Sequence, residues 1–552
     1  MKMKTYRLVS LAIGCVAFAF AACSDLDLNE SQYHSKEYQF SDFSQVKEVM
    51  TNVYGYLQSG FASFQECASD DAVYADSPDV CKSYYDGSWS ANEVVDDQWS
   101  HYYAAIRAAN YLLENCPEDF DIARWDERYR IYLAQLKNYP YEARALRAWF
   151  HMELLKRYRR IVIADKTYSV SEVNSLEPVE YDKAVEWIAN ELEDCAKHLP
   201  DSYSDTYYSE IGRVTKGFAL AARARLLLYA ASPLNNPGGD ASKYAKAAEA
   251  ALDFIDANRK SLQYGVVRQQ FNVEAKDLIF GIREAASNNF ESNNFPAGYE
   301  GGNSGICPSL NLVEAFNMAD GTPFDFDANK EALLDASKRD PRLARDILSN
   351  GDSFKGSVIE SYTGGNNGLP KENASPTSFY LRKFIQEATS LTTGNVNSYP
   401  HIYPLLRVQE VYLNYAEALF EGTKNPDFTG VFHGVRYVLS PRSAVNLIRA
   451  AYSMPEIPSD LPVDQFRMRL RNERRVELCF EGHRFWDLRR WKIGESTNEI
   501  YGITITKIGD QDYSVVRNLV QNRYWNDKMY WYPISEVELH KNGNLVQNDG
   551  WE

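Results

Sequence analysis

Along most of the chain, apolar residues recur at intervals of three and four. In YEARALRAWFHMELLKRY, residues 141–158, Ala145, Trp149, Met152 and Leu155 fall on one side of a helix. TKGFALAARARLLLYAAS, residues 215–232, repeats the pattern with Ala219, Ala222, Leu226 and Leu227 and stops before Pro233. KYAKAAEAALDFIDA and VQEVYLNYAEALFEG predict two more helices, with Gly422 as the C-terminal cap of the last. Strand-like alternation is scarce. Alanine recurs where close helix contact wants small side chains, which suits stacked helix pairs of the tetratricopeptide kind, although no fixed repeat period is present.

Long irregular stretches separate these helices. SNNFESNNFPAGYEGGNSG (287–305) and IESYTGGNNGLPKENASPTS (359–378) are loops by composition. Loops of this length in a helical protein usually carry function or disorder. The fold class expected is therefore mainly α: tetratricopeptide-like helix pairs with a loop-rich second half.

The densest mixture of charge and aromatic rings is RNERRVELCFEGHRFWDLRRW, residues 471–491. A helix capped by Asp464 places Phe466, Leu470, Glu473, Glu477 and Phe480 on one side and ends at Gly482; a short second helix carries Phe485, Trp486 and Leu488. Two carboxylates about 6 Å apart on a helix suit a retaining glycosidase. A general acid, however, needs a raised pKa, and Arg467, Arg469, Arg471, Arg474, Arg475 and Arg484 push the other way. A nucleic-acid patch around Arg489, Arg490 and Trp491 conflicts with a net charge of −17. The reading adopted is a brace, in which half-buried Arg–Glu pairs and tryptophans lock two helices together. His483 in this stretch and His151 on the Trp149 helix are read as packed or solvated side chains.

The N-terminus bears on location. Lys2, Lys4 and Arg7 precede an apolar run from Leu8 to Ala22, too short to span a membrane but suited to a signal peptide. Its loss takes three cations and moves the net charge from −17 to −20. Phe20-Ala21-Ala22-Cys23 resembles a bacterial lipobox with Phe20 in place of the usual Leu, which makes Cys23 the expected lipidated residue. Asp25 and Asp27 resemble the acidic export signal of surface lipoproteins. The remaining cysteines show no metal-ligand spacing; Cys67 and Cys81 are read either as a bridge or as buried thiols.

The brace segment resembles the C-terminal signature of the SusD/RagB family, the outer-membrane nutrient-binding lipoproteins of Bacteroidetes. WSHYYAAIRAANYLLENCP, EARALRAWFHMELLKRY, GRVTKGFALAARARLLLYAASPL, LVEAFNMADG, RDPRL, YTGGNNG, LRKF, LLRVQEVYLNYAEAL and YPISEVELHKNGNLVQNDGW match in the family's order. Arg159-Arg160-Ile161-Val162 departs from the family's Gly-x-Pro continuation. The resemblance implies four tetratricopeptide-like helix pairs, a lipid-anchored surface position, an oligosaccharide ligand and a SusC-like TonB-dependent transporter as partner. It implies no catalysis; some relatives take peptides or host glycans instead. The division implied is a signal at 1–22, a helical part at 23–270 and a RagB/SusD part at 271–552, packed as one unit.

A sugar receptor wants flat rings for C–H faces and Asp, Asn or Arg for hydroxyls, and rings on helices are mostly core. Two loops therefore supply the expected ligand site. The first offers Tyr74, Asp76, Tyr84, Tyr85, Asp86 and Trp89; the second offers Asn289, Phe290, Asn294, Phe295 and Tyr299. Trp89 and then Tyr85 lead the expectation, whereas Trp99 belongs to a packing helix. Asp70, Asp71, Asp76 and Asp79 form an acidic run without an EF-hand pattern, so Ca²⁺ is weighed but no cofactor is expected.

Overall fold

The computed structural model describes residues 35–552 apart from 64, 76–78, 121 and 204–209. Cys23 and Asp76 lie outside the described residues. Ten helices of seven residues or more occur among those described: α1 (Phe43–Tyr54), α2 (Trp99–Asn115), α3 (Tyr129–Tyr158), α4 (Tyr181–His198), α5 (Lys216–Ala231), α6 (Ala241–Ala257), α7 (Val408–Thr423), α8 (Pro441–Ala451), α9 (Val463–Glu477) and α10 (Arg484–Arg490).

Local chemistry sets their limits. Asp42 caps α1 by accepting from the N–H groups of Ser44 and Gln45, and Thr215 caps α5 from Phe218. Ser440 caps α8, with Pro441 at its first position, where no N–H is required. α7 continues one residue past Gly422 and ends at Lys424, in left-handed conformation at φ +54°. Gly422 is thus a packing glycine rather than the cap: a Cβ there would lie 2.8 Å from the Phe432 ring. α9 begins after Pro462, with Asp464 in its first turn instead of at the cap, and ends at Glu477 instead of Gly482. Phe480, at φ +60°, turns the chain and swings Glu481 onto Arg407 and Lys383.

The helices stack in order, α2 on α3, α3 on α4, α4 on α5 and α5 on α6. Small side chains sit at these contacts: Ala219, Ala222, Ala248 and Ala251 are fully buried, which lets the axes approach closely. α6 then packs on α7, and α7 on α8 and α9. The sequence boundary at residue 270 thus falls in the connection between α6 and the rest, and the stack resumes at α7.

The residues between α6 and α7 form the loop-rich part. Its frame is an antiparallel pair, β2 (Leu278–Ser287) with β4 (Tyr399–Arg407), and β4 runs straight into α7. β1 (Ala72–Tyr74) pairs with β3 (Ile306–Pro308); β5 (Gly430–Phe432) with β6 (Val435–Tyr437); β7 (Glu499–Lys507) with β8 (Tyr513–Asn522). One hydrophobic core runs through both halves, and a smaller one gathers Phe295, Leu348, Phe354, Ile359 and Tyr380. No helix among the described residues is long and apolar enough to cross a membrane.

Candidate functional site: a loop face held by a buried charge network

A buried charge network ties the loops to the helices. Glu473 and Glu477 are buried on α9. One guanidinium nitrogen of Arg342 donates to both, at 2.6 and 3.1 Å, while its other nitrogens donate to Asp340. Arg449 donates to Glu473 at 2.7 Å and Arg407 to Glu477 at 3.0 Å. Arg407 also binds Glu481, which Lys383 reaches at 2.7 Å. Burial alone would push up the Glu481 carboxyl, but Arg407 and Lys383 hold it at about 2.

The second half of the segment does the same toward the helix stack. Arg474 pairs with Asp487 on α10, and Arg490 joins Asp487 to Glu417 on α7, where the Trp491 indole also donates. Toward the N-terminal part, Arg484 and Arg475 take Asp70 and Asp71. Burial favours the neutral Asp70 acid, yet Arg475 and Arg484 keep it down at about 2. The segment is therefore a brace as expected, with every carboxylate named above ion-paired, an arrangement unlike that of a general acid. Arginine's fork geometry suits such shared, desolvated pairs. His483 and His151 are packed: burial holds both below their usual range, His151 at about 3, with Nε2 accepting from the Ala164 N–H.

Most of the aromatic residues expected at the ligand surface are inside. Trp89 is 3% exposed, edge-on to Tyr532 at 4.8 Å and tilted against Trp551 at 5.4 Å. Tyr84 is wedged between Trp89 and Phe485 of the brace. Tyr85 carries the Arg523 guanidinium over its ring and donates its hydroxyl to Asp79. Phe295 fills the small second core; Asn294 accepts from the Ile306 N–H at 3.0 Å and donates to the Phe290 carbonyl at 2.9 Å. All five are buried, at most 9% exposed. Loops this long need their own anchors, and the large rings supply them. Cys67 and Cys81 are buried thiols not joined in a disulfide, and burial, then a hydrogen bond with Cys81, pushes up that of Cys67.

Tyr74, Tyr299 and Asp86 remain at the surface, the first two half-buried. Tyr299 donates to the Phe354 carbonyl at 3.0 Å, and Asp86 accepts from the Ser88 N–H at 2.8 Å. Asn289 is exposed and Phe290 half-buried. The two expected loops do meet. The β1–β3 pair sets Tyr74 opposite Ile306, and the Ala75 N–H donates to the Gly305 carbonyl. A third loop joins them: the Asn367 amide donates to the Ala297 carbonyl at 2.7 Å and that of Asn373 to Asn303 at 3.4 Å. Gly298, at φ +97°, makes this approach possible, since a Cβ there would lie 2.4 Å from the Asn366 carbonyl oxygen.

Hairpin β7–β8 closes the face. Arg523 donates to the Ser69 and Ala72 carbonyls, and the Tyr524 N–H donates to the Tyr85 carbonyl at 2.8 Å. Tyr524 is 45% exposed beside Gly87. The sequence reading missed Tyr524, Asn303 and Asn373; a lone Tyr after a strand and Asn in Gly-rich loops carry no distinguishing signal. The three loops and the hairpin therefore carry an exposed ring, two half-buried rings and amides from two of the loops, side chains of the kind that meet apolar sugar faces and hydroxyls. A separate groove of about 860 Å³ opens between the end of α1, residues 210–215 and β2. Its Arg213 is engaged by Glu142 and Glu210.

The SusD family model matches residues 273–551. A SusD-like protein, P2, of Formosa agariphila is 23% identical over 469 residues, covering 83% of this chain and 81% of that protein. The crystal structure of a SusD-like protein from Bacteroides fragilis superposes with a TM-score of 0.74 at 25% identity, over 93% of this chain and 98% of that one. A SusD-like carbohydrate binding protein from the same species gives 0.73 at 23% identity, over 92% and 99%.

Proposed function

Because the chain belongs to the SusD family, we propose that it is a cell-surface glycan-binding lipoprotein that captures an oligosaccharide and delivers it to a SusC-like TonB-dependent outer-membrane transporter. The observation that supports the ligand class is the meeting of three loops, with Tyr74 set opposite Ile306, Asn373 bonded to Asn303, and the Tyr74, Tyr299 and Tyr524 rings each left at least partly exposed. The carbohydrate binding named for the B. fragilis relative supports it. The charge network supports a binding role over glycoside hydrolysis, because Glu473 and Glu477 are engaged by Arg342, Arg449 and Arg407. Cys23 would carry the lipid.

A panel of glycans and peptides, scored for both retention and product, tests the reading. Retention of a glycan without shortening supports it; retention of peptides alone points to a peptide-binding relative; released fragments point to a hydrolase. Fatty-acid labelling of the wild type but not of Cys23→Ser tests the anchor. Recovery of a TonB-dependent receptor in near-equal amount from solubilised outer membranes tests the partnership, and isolation as a lone monomer overturns it.

A further inference from the structure

Among the described residues, the most exposed large apolar side chain is Trp125, at 92%. It closes a single 3₁₀ turn in the connection from α2 to α3. A tryptophan is seldom left in water when any partner covers it. The polar groups beside it are committed to one another. Asp119 accepts from Tyr129 at 2.7 Å, Arg124 at 3.4 Å and the Phe120 N–H at 2.7 Å. Asp126 accepts from Arg128 through two nitrogens, at 3.2 and 3.1 Å. A hydroxyl-rich ligand would have to break these pairs, whereas an apolar phase needs only the protruding ring.

The start of the described chain lies at the same end of the molecule. Phe43, at the beginning of α1, stacks on Tyr132 with ring centres 4.2 Å apart, and Tyr132 carries the Arg128 guanidinium at 5.4 Å. Phe40 packs on Tyr111, whose hydroxyl donates to Gln39 at 2.7 Å. Ser35 is thus held beside the α2–α3 connection, 12 residues after Cys23. That length spans at most about 40 Å when fully extended.

We infer that Trp125 is a membrane contact, seated in the interfacial layer of the outer leaflet next to the lipid anchor. The inference rests on the anchored reading above. Indole suits that layer, being apolar in body and polar at one edge. Arg124 and Arg128 offset the charges of Asp119 and Asp126 beside the ring, and Arg130 is exposed, so its side chain can extend toward lipid phosphates. A second contact beside the anchor adds to the attachment that the lipid provides. The ring would also fix which side of the protein faces the bilayer.

The test uses the full lipidated protein in phospholipid vesicles with and without bromine-labelled acyl chains, which quench indoles at membrane depth. Wild type should lose a component of its tryptophan emission in the brominated vesicles, and Trp125→Phe should not. Equal quenching of the two proteins while both float with the vesicles overturns the inference and leaves the anchor intact. Failure of the wild type to float overturns the anchor reading and the inference with it. Weakened glycan retention by Trp125→Phe, with no lipid-dependent quenching in the wild type, assigns the ring to sugar and overturns it as well.

Discussion

Arg484 and Asp70 meet through two parallel N–H···O bonds of 2.7 and 2.8 Å although 414 positions separate them. Both are buried, and the pair fastens the segment that leads into β1 to the brace. Removing one partner of such a pair strands the other charge and costs about 3–5 kcal/mol. Asp70→Ala should lose that much in denaturant unfolding, with early proteolytic cleavage near residues 65–90. Unchanged stability and protease resistance would show that the pair does not hold the segment.

The brace itself makes a second prediction. Glu477 accepts from Arg342 and Arg407, so Glu477→Ala leaves two guanidiniums short of a partner. A loss of about 3–5 kcal/mol is expected, seen as a sharply lower melting temperature. A variant that melts normally but loses a hydrolytic activity would make this residue a catalytic one.

Stability should depend on pH through Glu66. Its Oε1 accepts from the Gly482 N–H at 2.7 Å and its Oε2 has no partner. Burial, then the neighbouring Asp71 charge, lifts its pKa from the ordinary 4.5 to about 8. A raised folded-state pKa means that the stability lent by the neutral acid is whole below about 4.5 and is lost as pH climbs toward 8. Glu66→Gln keeps the neutral form throughout. Its melting temperature relative to wild type should therefore rise from about pH 5 to about pH 8 and then level off. A flat difference across that range would refute the assignment.

Binding and folding should separate cleanly between two rings. Tyr524→Ala should weaken capture of the identified glycan by about 1–2 kcal/mol and leave the melting temperature in place. Trp89→Ala should instead cost stability, about 3–5 kcal/mol for a buried ring. Calorimetric titration beside thermal melts distinguishes them; Trp89→Ala that stays folded and loses only affinity would restore Trp89 to the ligand surface.

The helices were legible because their signal is periodic and local: Ala145, Trp149, Met152 and Leu155 all lie in the core, as their spacing demands. The brace was legible for a related reason, since alternating arginine and glutamate around tryptophan have few stable uses apart from mutual neutralisation. The two loops expected to carry the ligand site do meet, joined by β1–β3. Their individual rings were not legible. Whether a loop tyrosine faces water depends on the neighbours the fold brings to it, as Tyr84 shows against Phe485, four hundred residues away in sequence. Tyr524 escaped notice for the converse reason: its exposure comes from where hairpin β7–β8 lands on Gly87.

α6 and α7 are consecutive members of the helix stack, yet residues 258–407 come between them. The loop-rich part is therefore an excursion whose two ends are held by the scaffold. The entropic cost of closing such a loop rises only slowly with its length. Segments within it can then be lengthened, shortened or exchanged while the helix register stays as it is, so ligand preference can diversify by recombination of one contiguous stretch of gene. Libraries randomised at the exposed positions of 287–305 and 359–378, with their buried residues and glycines kept, should stay folded far more often than libraries of equal size in α5 or α7.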